Sequence, residues 1–274
     1  MPEQNYEVAI VSLTGNRKIN QDRAVLLRDP KTVVMALGDG LGGHPRGEFA
    51  AQLFIDTCER LFNDYPKPLT DPLDFMLNAV EHSHDAILDF GSRQTPQISP
   101  RTTAVIAVIQ LGMLYWLHVG DSRLYLMRDG KLKKLTKDHA IVREIETRKH
   151  GKVQRRSGVT RCLGSVNGPC GGTTGHPLKL KPGDALLACS DGLWDQVSNE
   201  DILAAMSSDA PFPAEIKNLA HTAESSTPKS DNVTGVGLRI SKSAKTVANK
   251  DHQDTMLDVA VEQLKGMVNR VNNN

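Results

Sequence analysis

Two Asp-Gly pairs, Asp39-Gly40 and Asp191-Gly192, share a setting. Each closes an apolar run, VVMALG (33–38) or ALLACS (185–190), and each precedes a glycine loop or a helix. A third pair, Asp129-Gly130, joins two short β-rich runs and has the composition of a type I′ hairpin turn, so it serves as a structural control. Asp22, after RKINQ, and Asp231, before the last β-rich run, complete a set of acids at strand boundaries. Brought together, such acids need a cation: at an effective dielectric near ~20, two carboxylates ~4 Å apart repel by ~4 kcal/mol. Oxygen donors, with no His or Cys at metal spacing, suit hard Mg2+ or Mn2+ better than zinc. A glycine after Asp39 lets the backbone approach an ion where a side chain would intrude.

The elements that must position these acids follow from periodicity. Residues 6–13 (YEVAIVSL) and 32–38 (TVVMALG) are β-rich, the second as continuously apolar as a strand covered on both faces. Helical spacing of apolar residues predicts helices from Arg46 to Asn63 and from about Pro72 to Phe90, with Thr70 or Asp71 as the cap of the second. Runs at 102–110, 113–119, 123–128 and 131–135, joined by very short connections, predict an antiparallel meander. A strand at 185–190, helices at 198–206 (capped by Ser198) and 213–224, and a strand at 233–240 follow. Strands and helices fall in separate blocks, which predicts an α+β fold with two packed antiparallel β-sheets flanked by helix pairs.

Two regions fall outside that order. Residues 141–176 are basic and then glycine-rich, and are expected to form a mobile surface segment; residues 241–253 read as a linker, and apolar residues from Leu257 to Val271 mark one face of a final helix. A net charge of +1, from 33 basic and 32 acidic residues, gives no reason to expect nucleic acid as a partner. No apolar run approaches the ~20 residues of a membrane span, and a cytoplasmic location is expected. The four cysteines lack C-x-x-C spacing and are expected to be packed thiols.

RKINQD (17–22), GDGLGGH (38–44) with Gly47-Glu48, RTTAV (101–105), HVGDSRLYLMRDGKLKKLTKDH (118–139), CSDGLWD (189–195) and SDNVT (230–234) occur in this order. Together they resemble the metal-dependent protein phosphatase family, the protein phosphatase 2C type, in its bacterial form. The resemblance implies a catalytic domain over residues 1–240, a flap at about 141–176, and a family-external linker and helix at 241–274. It implies a two-metal centre of Mn2+ or Mg2+ held by Asp39, Asp191 and Asp231, with the Gly40 carbonyl as a further ligand and Asp22 acting directly or through water. Asp121 would help bind a third, weaker ion. A water shared by two ions would attack phosphorus in line, hydrolysing phosphoserine or phosphothreonine in proteins and opposing a protein kinase. The implied partners are phosphorylated proteins, including a Ser/Thr kinase or its targets.

Arg17 would grip the phosphate with its planar fork, or pair structurally with one of the acids. Asp121 has a turn aspartate as its plain alternative. His44 stands three residues beyond the place where some family members carry a proposed acid, which leaves substrate contact, proton donation and a plain loop histidine open. His82 and His84 read as surface residues. The basic cluster Arg148, Lys149, Lys152, Arg155 and Arg156 either docks acidic substrate loops or is solvated. Competing functions are a catalytically silent phosphoprotein-binding module, which loss of the metal acids would mark, and a phosphatase of small phosphate esters.

Overall fold

Every residue from Val33 to Leu37 is buried, because β3 (Thr32–Asp39) lies between β2 (Asp22–Arg28) and β4 (Ala104–Gln110) in an antiparallel sheet. The computed structural model describes residues 6–146, 153–166 and 170–242, and these divide into two compact units. The first unit, Gln21–Leu124 with Leu135–Lys179, contains that sheet. Beyond β4 come β5 (Met113–Val119) and the two short strands β10 (Thr173–Thr174) and β11 (Leu178–Lys179), both paired to β5. Helices α1 (Gly47–Asp64) and α2 (Pro72–Ser92) pack on each other and on the sheet. Phe54, Phe75, Met76, Ile87, Ile106 and Leu117 are buried between them, and burial of each contributes about 1.5–3 kcal/mol. At the start of α2 the Asp71 carboxylate accepts the N–H groups of Leu73 and Asp74 at 2.8 and 3.2 Å, as the sequence leads one to expect.

The second unit comprises the described residues up to Asn20, Tyr125–Lys134, and those from Leu180. Its sheet runs β1 (Tyr6–Leu13), β13 (Val233–Ile240), β12 (Ala185–Cys189), β6 (Arg123–Arg128), β7 (Lys131–Leu135). Short α3 (Asp191–Trp194) follows β12, and α4 (Asn199–Ser207) and α5 (Phe212–Ser225) form this sheet's helix pair, α5 packing on β1 and β13. Ser198 caps α4 in a reciprocal capping box with Asp201. The α+β class and the antiparallel sheets with a helix pair each are therefore as predicted.

The four runs from 102 to 135 do not form one meander. β4 and β5 pair in one sheet and β6 and β7 in the other, and the chain changes sheet at Gly120-Asp121-Ser122, where Gly120 has φ +99°. The control pair behaves as expected: Asp129 and Gly130 have φ +51° and +68°, the type I′ pattern. The segment read as surface loop contains an antiparallel hairpin, β8 (Ala140–Glu146) with β9 (Val153–Val159). Arg148, Lys149 and Lys152 and the predicted final helix lie outside the described residues. Among the described residues no helix is long and apolar enough to cross a membrane.

Candidate metal and phosphate site

In the first unit the acids are placed by strand register. Asp22 opens β2, Asp39 closes β3, and they are direct partners across the ladder. The turn at the far end fixes that register: the Asp29 carboxylate accepts the N–H groups of Lys31 and Thr32 at 2.8 and 3.0 Å, so Arg28 pairs with Val33 and the count runs back to Asp22 and Asp39. Directly opposed side chains share a face with Cβ atoms ~4.5–5.5 Å apart, and like charges so placed destabilise the pair. Asp22 is only 1% exposed, which raises the cost of its charge.

The backbone around Asp39 is tightly held. Its N–H donates to Thr103 Oγ1 at 3.0 Å, and its carbonyl accepts from Thr103 N–H at 2.9 Å and Thr102 Oγ1 at 3.0 Å. Thr103 Oγ1 also lies 2.7 Å from Ser122 Oγ, which links Asp39 to the turn that carries buried Asp121. Gly40 donates to the Gln21 carbonyl at 3.2 Å, and a Cβ there would come within 2.5 Å of the Gly47 backbone. Only glycine fits where β3 meets the start of α1.

In the second unit the acids are placed by loop ends. Asp191 is the first residue of α3, and Asp231 immediately precedes Asn232 and β13. The two segments touch at Gly192, where a Cβ would stand 2.0 Å from the Asn232 carbonyl oxygen and 3.4 Å from the Asp231 Cβ. Asn232, 5% exposed, donates from Nδ2 to the carbonyls of Thr14 and Ile19 at 2.8 and 3.1 Å, so the 14–19 loop is tied to the same place. Arg17, carried on that loop, pairs through Nη2 with Asp231 Oδ2 at 2.5 Å. Of its two predicted roles the structure displays the ion pair. Both side chains are about half exposed, and such a pair contributes only ~0.2–1 kcal/mol.

His44 sits half-buried in the β3–α1 loop, its N–H donating to the Leu41 carbonyl at 3.3 Å. Burial, with help from the Arg101 charge, holds its pKa below the ordinary histidine value. His82 is exposed as expected, but His84 is half-buried and its Nδ1 accepts the Gly164 N–H at 3.2 Å. Cys58, Cys162 and Cys189 are buried thiols, as predicted, and Cys170 is half-buried. Among the described residues no group of three or more His, Cys, Asp and Glu gathers closely enough to hold an ion. The acids form a facing pair in the first unit and neighbouring backbone positions in the second. The roles of Thr102, Thr103 and Asn232 were not read from the sequence; the RTT and SDN motifs marked their positions.

Residues 12–231 match the family model described as Protein phosphatase 2C, and the chain belongs to that family. The serine/threonine protein phosphatase PstP of Mycobacterium tuberculosis is 33% identical over 190 residues, 63% of this chain and 34% of that protein, so the chain spans about a third of that relative's length. Protein phosphatase PhpP of Streptococcus pneumoniae is 26% identical over 232 residues, 79% of this chain and 91% of the relative. The solved catalytic domain of PstP, in complex with two manganese ions, is 29% identical with a TM-score of 0.67, over 86% of this chain and 98% of that one. These likenesses agree with the α+β fold described above.

Proposed function

We propose that this chain is a Mn2+- or Mg2+-dependent phosphatase of phosphoserine and phosphothreonine in proteins, with Asp22, Asp39, Gly40, Asp191 and Asp231 as metal ligands and Asp121 on a third, weaker site. The observation that carries the reading is the direct opposition of Asp22 and Asp39, with Gly40 packed to glycine's limit beside them, in a member of this family. The donor set fits hard divalent ions: all are oxygens, and the opposed carboxylates gain what a cation offers. Two such ions, when bound, supply a water of lowered pKa and offset charge on the phosphoryl oxygens.

The chain's own residues do the rest. Thr102 and Thr103 hold the Asp39 backbone from both sides, so its carboxylate is delivered on a fixed base. Arg17 stands beside Asp231 with a guanidinium of five N–H donors, enough to retain that ion pair and still bind phosphoryl oxygens. His44, in the β3–α1 loop, serves as a substrate contact. Substrates are phosphorylated proteins, a Ser/Thr kinase or its targets among them. A cytoplasmic location belongs to the same reading.

The test is hydrolysis of a phosphothreonine peptide and of a small phosphate ester, with Mn2+ and with excess chelator. Mn2+-dependent turnover that favours the peptide is expected. Undiminished turnover in chelator would refute metal dependence, preference for the small ester would refute the substrate class, and no turnover with Mn2+ would return the chain to the binding-module alternative.

A further inference from the structure

His139 ends the long central motif, and the sequence gives it no role. In the structure its main chain and its ring grip the same turn. Its N–H donates to the Gly120 carbonyl at 2.9 Å, while the Gly120 N–H donates to its Nδ1 at 3.1 Å. A backbone N–H can only donate, so Nδ1 is the unprotonated nitrogen, and Nε2 carries the hydrogen that reaches Thr173 Oγ1 at 2.8 Å. The His139 carbonyl accepts the Thr160 N–H at 2.8 Å, directly below the Ala140–Val159 pair that begins the β8–β9 hairpin.

The ring is also fixed sideways. It stacks on His118, with centroids 4.5 Å apart and planes at 17°, and His118 Nε2 is bonded to the Lys137 carbonyl at 2.9 Å. The preceding residue, Asp138, takes a two-pronged bond from Arg123 at 2.9 Å on each oxygen. Gly120 itself has φ +99°, and its neighbours Asp121 and Ser122 are buried. Beyond it, Ser122 meets Thr103, which holds Asp39. An unbroken line of hydrogen bonds thus runs from the hairpin base through His139 to the turn that carries Asp121.

We propose that His139 is a positioning residue that ties the Asp121 turn to the base of the β8–β9 hairpin, so that ion binding at Asp121 and ordering of the hairpin base are coupled. The inference rests on the metal role of Asp121 given above. Burial, the neighbouring His118 and Arg161 push the His139 pKa down to about 4, in keeping with a ring that stays neutral to accept the Gly120 N–H.

The experiment is calorimetric titration of Mn2+ into the parent, Asp121→Asn, His139→Phe, His139→Asn and Thr173→Val, with deuterium exchange read at the Thr160 amide. Asp121→Asn identifies the weak step. His139→Phe keeps a stacking ring but no nitrogen, and should weaken that step about tenfold while the tighter steps stay unchanged. His139→Asn, which restores an acceptor near the Nδ1 position, should recover it to within ~3-fold. Mn2+ should slow Thr160 exchange in the parent and not in His139→Phe. If His139→Phe does not fold, Thr173→Val, an exposed substitution, carries the test with a loss of ~3-fold in the same step. A weak step indifferent to both His139 and Thr173, or an Asp121→Asn variant that loses no step, overturns the inference while the tight steps leave the proposed function standing. A parent that takes up no Mn2+ overturns the proposed function itself.

Discussion

The two units present their acids by different means. In the first, Asp22 and Asp39 face each other because seven paired residues and the Asp29 turn leave the ladder no other register. In the second, Asp191 and Asp231 lie at the ends of a one-turn helix and a loop, and are held by glycine contact, the Asn232 side chain and an exposed ion pair. A strand register cannot slip by one residue without turning every side chain to the wrong face. Loop ends have no such guarantee and depend on single close contacts. The first arrangement is therefore held chiefly by register, and the second by contacts at particular atoms.

Gly192→Ala gives the largest expected effect on stability. Its Cβ would meet the Asn232 carbonyl oxygen at 2.0 Å, and the clash should cost about 3 kcal/mol in a denaturant melt. Gly42→Ala, where nothing lies within 4 Å, should cost well under ~1 kcal/mol. Equal losses would show that the contact at Gly192 is not what holds the second pair. Thr103→Val probes the first pair: it strips the acceptor from the Asp39 N–H and should cost ~1–3 kcal/mol of stability and about tenfold in Mn2+ affinity. Unchanged affinity on calorimetry would mean that register alone suffices.

A smaller effect concerns pH. His118 and His139, both in the first unit, have pKa values lowered chiefly by burial, His139 to about 4. Between that value and ~6.5 the unfolded chain binds protons that the folded chain refuses, so stability is complete above ~6.5 and falls as pH drops toward 4. Thermal melts from pH 7 to pH 4 should show this decline, and His139→Phe should flatten it. An equally steep decline in the variant would assign the effect elsewhere. Arg17→Ala should be the mildest, at ~0.2–1 kcal/mol, because the pair with Asp231 is half exposed. A rise in KM for phosphopeptide with little change in the melt would fit its phosphate-binding role; an unchanged KM would leave it structural.

Much of this was legible in the sequence because the signals are local. The apolar run before Asp39, the Asp71 and Ser198 caps and the type I′ pair at Asp129-Gly130 are each fixed by a few neighbouring residues. The strand β2 was missed: DRAVLLR is short and has arginine near both ends. The change of sheet after β5 was missed because strand partners are set by distant chain, and the one local mark is the positive φ of Gly120, which composition does not display. Thr103 and Asn232 act through bonds to residues 64 and 218 positions away, which no local pattern encodes.

The proposal on which the rest depends is that Asp39, Asp191 and Asp231 are metal ligands. Calorimetric Mn2+ titration of the parent, Asp39→Asn, Asp191→Asn and Asp231→Asn tests it most directly. Tight uptake by the parent is expected, with a loss on the order of 100-fold in affinity in each variant, about 2.7 kcal/mol each time. Parent-like binding in any of the three variants would remove that acid from the metal ligands, and parent-like binding in all three would rule out a metal centre built on them.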